Sequence, residues 1–322
     1  MYTSANKWEE VEVNGDNDTS VHEHIPVLLQ EVLEGLQCSR GGKFVDCTLG
    51  QGGMALQILQ ADAHNSLVGI DQDEQAIAAA KKRLKRFEDR TQVVHGNFHD
   101  LKRHLQSLHV SEVNGIVFDL GVSSAQLSRP ERGFSFMLDG PLDMRMDQRD
   151  ERTAAELLNT LSERELADII FHYGEERYAR RIARAIIHAR ATQPLRTTSH
   201  LASVIYDAVP PVYRRGRIHY ATRTFQALRI AVNHELDILD QSFRDAADVL
   251  VPGGRLCIIS FHSLEDRSAK QTLRALSRGT SPRLALLAKK PIVPSEAERR
   301  ANPRARSAKL RIAERLSVKG AA

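Results

Sequence analysis

The sequence predicts an α/β fold: a mostly parallel sheet interrupted by an inserted all-helical domain. Short apolar runs at 43–48, 67–71, 91–95 and 115–120 alternate with stretches of helical period, the pattern of a parallel sheet with crossover helices. Three of these runs end on an acid (Asp46, Asp71, Asp119), and the first leads into the glycine turn Gly50-Gln51-Gly52-Gly53. Then the rhythm stops. About 130 residues precede the next convincing strand, Arg255 to Phe261, whereas a strand–helix–strand unit needs only ~30.

At 322 residues the chain has room for two domains, or for one large domain with an insertion. Its 42% hydrophobic and 27% charged residues are ordinary for a globular protein. No apolar run approaches the ~20 residues of a membrane span, and the acidic N-terminus argues against import, so no membrane partner and a cytoplasmic location are expected. The cysteines Cys38, Cys47 and Cys257 are far apart, which suits a reducing compartment and gives no zinc signature; no metal is expected. The net charge of +4 is unevenly placed: residues 279–322 carry eleven Lys/Arg against three acids. Such a tail points toward nucleic acid about as much as toward a solvated surface.

Residues 1–21 are polar and aperiodic and are expected to be a disordered tail. Val27, Leu28, Val32, Leu33 and Leu36 space a first helix, closed by Gly41-Gly42. A helix follows the glycine turn, and another runs from Gln72-Asp73-Glu74 to about Arg86. Beyond the fourth strand, Thr153/Glu156 and Ser162/Glu165 read as capping boxes. The helix at 177–190 has an apolar face and an arginine face, and Pro210-Pro211 stops a helix at 201–209. These helices place the inserted domain at 122–221, with the sheet domain discontinuous over 22–121 and 222–322. Pro252-Gly253-Gly254 turns into the fifth strand, residues 279–306 read as loop, and Ala308, Leu310 and Ile312 alternate as an edge or closing strand. The stretch Arg129–Asp147 follows no period, yet its phenylalanines and methionines suit an ordered lid over a ligand.

The glycine turn leaves two ligands open. Gly50-x-Gly52-x-x-Ala55 with Asp71 about 20 residues on is a dinucleotide spacing, and would make the protein an NAD-dependent oxidoreductase. Asp46 and Asp119 beside it would make the rim negative, which suits a cationic nucleotide such as S-adenosylmethionine better than a pyrophosphate. A non-catalytic RNA-binding module is the third alternative. His262, Glu265 and Asp266 lack metal-ligand spacing, and Ser263 with Asp266 reads as a helix start.

Several blocks carry a closer likeness. They are His24–Leu29, Asp46-x-Thr48-x-Gly50-x-Gly52-Gly53, Asp119–Leu127, Arg132–Phe136, Asp139–Asp147, Tyr173–Arg177, Ala221–Ile230, Ser260–Arg267 and Asn302–Ser307. In this order they resemble the bacterial small-subunit ribosomal-RNA cytosine-N4 methyltransferases, the MraW/RsmH family. The resemblance implies a Rossmann-like, class I S-adenosylmethionine-dependent methyltransferase sheet with an inserted helical domain. It further implies methylation of the exocyclic N4 amine of one cytidine in the decoding region of small-subunit ribosomal RNA, within an assembled or assembling 30S subunit. The family's cofactor positions fall on Gly52, Gly53, Met54, Asp71, Phe98, Asp119 and Gln126. One departure stands out: Met54-Ala55 occupies the place of the family's His-Ser. A cytidine amine needs an oxygen or nitrogen acceptor for its proton, for which Asp119 is the first candidate and His262 the second.

Overall fold

The computed structural model describes residues 26–317. The tail expected at 1–21 lies outside the described residues, as do His24 and Ile25. The first half alternates as read: α1 (Leu29–Leu36), β1 (Lys43–Asp46), α2 (Gly53–Ala61), β2 (Ser66–Asp71), α3 (Glu74–Arg83), β3 (Thr91–His95), α4 (Leu101–Ser107) and β4 (Val113–Asp119). Seven helices follow: α5 (Ser124–Ser128), α6 (Ala154–Thr160), α7 (Glu163–Gly174), α8 (Ala179–Thr192), α9 (Thr198–Ala208), α10 (Pro211–Arg214) and α11 (Thr222–Asn233). Then α12 (Leu239–Val249), β5 (Leu250–Ser260), α13 (Ser263–Leu276), β6 (Leu284–Leu286), α14 (Glu296–Ala301) and β7 (Lys309–Arg315) complete the described chain.

The strands form one seven-stranded sheet in the order β3-β2-β1-β4-β5-β7-β6. β1 to β5 are mutually parallel; β7 runs antiparallel to both β5 and β6. Side chains alternate across a strand, so each apolar run feeds two cores. Val45, Val68, Ile116, Phe118, Leu256 and Ile258 meet α4, α12 and α13 on one face. Phe44, Leu67, Val117, Cys257 and Ile259 meet α1, α2 and α3 on the other. A third core belongs to the helical insertion and contains Leu157, Leu166, Ile182, Ile186, Leu201 and Ile205.

The structure corrects the sequence reading in four places. The alternating segment at 308–312 becomes β7, but it lies inside the sheet, because β6 emerges from the stretch read as loop and takes the edge. Three residues are too few to show a period. β5 begins at Leu250, and Pro252-Gly253-Gly254 sits within it as a bulge: the register passes from Val113↔Leu250 to Gly115↔Arg255. α13 is capped by His262, whose side chain accepts from the Glu265 N–H in a capping box, not by Ser263. Finally, α11 does not return to the sheet domain at Thr222. Phe225, Leu228 and Val232 pack into the helical core, and the packing returns to the sheet with Leu239 of α12.

The loop at 129–147 is ordered against this helical body. Phe134, Leu142, Met144 and Met146 are buried in its core.

Candidate active site

The carboxyl ends of β1, β2 and β4 open into a cleft of about 190 Å³. Such ends are where open α/β sheets bind ligands. Gly50, Gln51, Gly53, Met54, Asp71, Phe98, Asp119 and Gln126 all line it. The sequence-derived positions therefore converge, with two exceptions. Gly52 lies behind the turn at φ 77°, where a Cβ would come within 3.3 Å of the Ala80 Cβ; there glycine serves both the left-handed backbone and the packing. His262 is not on the cleft wall. Its Nε2 lies 3.0 Å from Glu265 Oε1, and its ring caps α13.

The turn is held by the next strand. Asp71 accepts the Gly50 N–H at 2.7 Å on one oxygen and the Asp73 N–H at 2.8 Å on the other. Each carboxylate oxygen has a second lone pair, so Asp71 can still receive a pair of sugar hydroxyls. α2 starts on Gly52 with no side-chain cap. Its first N–H groups are therefore free for an acceptor atom of a ligand. Met54 is 6% exposed and its thioether packs into the core beneath the turn. Phe98 stands edge-on to Phe118 with centroids 5.4 Å apart and offers a flat apolar surface.

The acids differ from the negative rim expected. Asp46 is 1% exposed and lies off the cleft wall; one oxygen accepts the Thr48 N–H and the other has no partner. Burial, with the charge of Asp71 added, pushes its carboxyl up to about 7. Asp119 does line the cleft, and its Oδ1 is buried without a partner. Burial first, then the charges of Asp46 and Glu265, push it up to about 7 as well. Near neutral pH the pair thus carries less negative charge than two ordinary carboxylates. Glu265 goes the other way: burial works to raise it, but His262, Arg229 and the Phe261 N–H hold it below the usual range.

Both ends of the Gln126 amide are engaged. Its carbonyl oxygen accepts the Ser123 N–H at 2.9 Å, and its amide donates to Asp73 at 2.9 Å. The same Asp73 oxygen takes Arg132 at 2.7 Å, and Arg132 also donates to the carbonyls of Arg145 and Met146. This buried set pins the 129–147 loop to the start of α3, and Met146 reaches the cleft wall. Met146 is held from the far side too: its N–H donates to Asn233 Oδ1 at 2.7 Å, while Asn233 Nδ2 donates to the Met144 carbonyl at 2.8 Å.

Asn233 and Glu235 line the cleft without having been singled out from sequence, beside Met146 of the expected lid and Arg304 of the Asn302–Ser307 block. Asn233 ends α11 and Glu235 lies just beyond it. The polar run Asn233-His234-Glu235 right after an amphipathic helix was the available signal.

The model of the MraW methylase family matches residues 21–316. A relative from Cyanothece sp., called ribosomal RNA small subunit methyltransferase H, is 53% identical over 295 residues, covering 92% of this chain and 95% of its own. The protein of that name from Halothermothrix orenii is 48% identical over 308 residues, covering 91% and 99%. Among solved structures, an rRNA methylase from Streptococcus thermophilus aligns with a TM-score of 0.40 and 12% identity over 88% of this chain and 95% of its own, too distant to bear on the site.

Proposed function

Since the chain belongs to the MraW methylase family, we propose that it methylates the exocyclic N4 amine of one cytidine in the decoding region of small-subunit ribosomal RNA, acting in the cytoplasm on an assembled or assembling 30S subunit. The protein has the Rossmann-like fold of a class I methyltransferase, and its cofactor is S-adenosylmethionine. Membership of a methylase family sets aside the oxidoreductase and the non-catalytic module that the glycine spacing and the basic tail left open.

The cleft suits that cofactor. Asp71 would take the ribose hydroxyls, Phe98 the adenine face, and the backbone of Gly53 and Met54 at the uncapped start of α2 the polar tail. Gln126 would fix the wall beside it through Asp73. When bound, the cofactor supplies an electrophilic methyl group on a sulfonium.

The cytidine amine is a weak nucleophile because its lone pair is delocalised into the ring. Holding it in line with the donor is therefore a large part of the rate. The observation that carries the reading is the unpartnered Oδ1 of Asp119 at the strand end. An acceptor there would localise the lone pair of the amine and take its proton, and a carboxyl raised to about 7 is poised for that exchange near neutral pH. His262, off the wall, would act through Glu265 as a positioning residue. The target base has to leave any stack to reach this depth.

Calorimetry with S-adenosylmethionine and with NAD, followed by radiolabel transfer to small-subunit RNA, tests the assignment. Binding of the first ligand and label in the RNA are expected. Asp119→Asn should lower turnover by more than it weakens cofactor binding; equal losses would reduce Asp119 to a binding residue.

A further inference from the structure

Away from the cleft, the helical body carries a ladder of aromatic rings that leads to the surface. It starts at buried Phe225 of α11. Phe136 of the 129–147 loop stands edge-on to that ring at 5.3 Å. His219 stacks flat on Phe136, with centroids 4.4 Å apart and planes 7° apart. Tyr220 follows at 4.0 Å, and Tyr206 of α9 lies 5.3 Å beyond it. Arg214 closes the series, its guanidinium 3.9 Å from the Tyr206 centroid.

The outer end is exposed. Tyr206 is 42% accessible, Ile218 51% and Val212 76%. A ladder that served only to fasten the loop would end at Phe136, where the buried contact is made. This one continues into solvent, and its last member is a guanidinium plane that covers one ring. Arg215 and Arg217 beside it are exposed and, among the described residues, pair with no carboxylate. Burial holds His219 below its ordinary range, so the ring in the middle of the ladder is neutral near pH 7. Neutral rings with unpaired arginines at the edge match the chemistry of an unstacked base and its phosphate. A protein surface would more often present carboxylates or a broad apolar patch opposite such a cluster.

We infer that Tyr206 and Arg214, backed by Tyr220 and His219, form a stacking platform for an unpaired base of the substrate RNA, a second site distinct from the methyl-transfer cleft. The inference rests on the RNA substrate proposed above. α11 links the inner end of the ladder to the cleft: the eight steps from Phe225 to Asn233 span about 12 Å at 1.5 Å per residue. A base on the platform would thus hold the strand at a fixed reach from the target nucleotide.

The test uses the full chain and a single-stranded oligoribonucleotide carrying 2-aminopurine, whose fluorescence falls when the base stacks. Wild type and Tyr206→Phe, which keeps the ring, should quench it equally. Tyr206→Leu and Arg214→Ser should weaken binding about ten-fold and lose the quenching. S-adenosylhomocysteine affinity should be the same in all four, showing that the fold is intact. Equal quenching by all four proteins would overturn the platform. Unchanged oligonucleotide binding with weaker binding to whole small subunits would also overturn it, by moving the surface to a ribosomal protein. Failure of methyl transfer by wild type would strike the proposed function instead, and the quenching readout does not depend on it.

Discussion

Asp119 and Asp46 are acids whose surroundings work against their charge. Asp46 is buried and Asp119 half-buried, each has a buried oxygen without a partner, and each is pushed up to about 7. A cation beside Asp119 would reverse part of that effect, because an opposite charge favours the ionised form. S-adenosylmethionine carries a sulfonium and S-adenosylhomocysteine does not. The preference for the methionine form should therefore grow as Asp119 ionises, by roughly three- to ten-fold between about pH 6 and about pH 8. The sign follows from the raised pKa: below it the acid is neutral and does not distinguish the two ligands. Calorimetric affinities for both ligands across that range measure the ratio, and Asp119→Asn should flatten it. The identities of these acids could be read from the sequence, since acids at strand ends stand out. That Asp46 lies behind the wall could not, because one position along a strand decides which side of the pleat a side chain takes.

At the level of elements, the 129–147 loop shows how an aperiodic segment becomes rigid. It has no ladder of its own, so its order comes from Arg132, 1% exposed, which reaches Asp73 at the start of α3 and the carbonyls of Arg145 and Met146. Removing one partner of a buried ion pair leaves the other uncompensated. Arg132→Ala should cost about 3–5 kcal/mol in a denaturant titration, and it should weaken cofactor affinity as well, because Met146 would leave the cleft wall. A stability loss with unchanged affinity would separate the loop from the site. Phe134, Phe136 and the methionines signalled order in the sequence, but nothing signalled its anchor, since Asp73 is 59 residues away from Arg132. The same limit applies to β6. Three residues become a strand only because β7 offers them an open edge. The regular elements, β1 to β4 and the capped helices α6 and α7, needed no partner to be recognised.

Across the whole molecule, the cleft acids and one set of exposed arginines lie on different bodies. The sheet domain holds the acids of the cleft, and the exposed arginines of α8 and of residues 214–217 lie on the helical body. Neutralising phosphates releases counterions, so affinity for RNA should fall with salt in proportion to the number of phosphates engaged. Replacing Arg215 and Arg217 with glutamates should weaken binding and reduce the salt slope by about 2, one for each phosphate left without its arginine. Filter binding at several salt concentrations measures it, and an unchanged slope would place the RNA elsewhere. The boundary between the two bodies was the least legible feature. α11 has the same amphipathic spacing whichever core it faces, and only packing shows that it serves the helical one.

The cleft also draws on residues far apart along the chain. Pro26 and Val27 line it together with Arg304, and the Leu28 N–H donates to Glu298 at 2.8 Å across 270 positions. On a translating ribosome, at roughly 5–20 residues per second, the early strands would emerge well before this partner does. A nascent or prematurely released chain ending before Glu298 would have the glycine turn but neither Arg304 on the wall nor the bond that holds Leu28. The cleft is finished only once Glu298 and Arg304 have been made, and copies that stop before them lack that part of its wall.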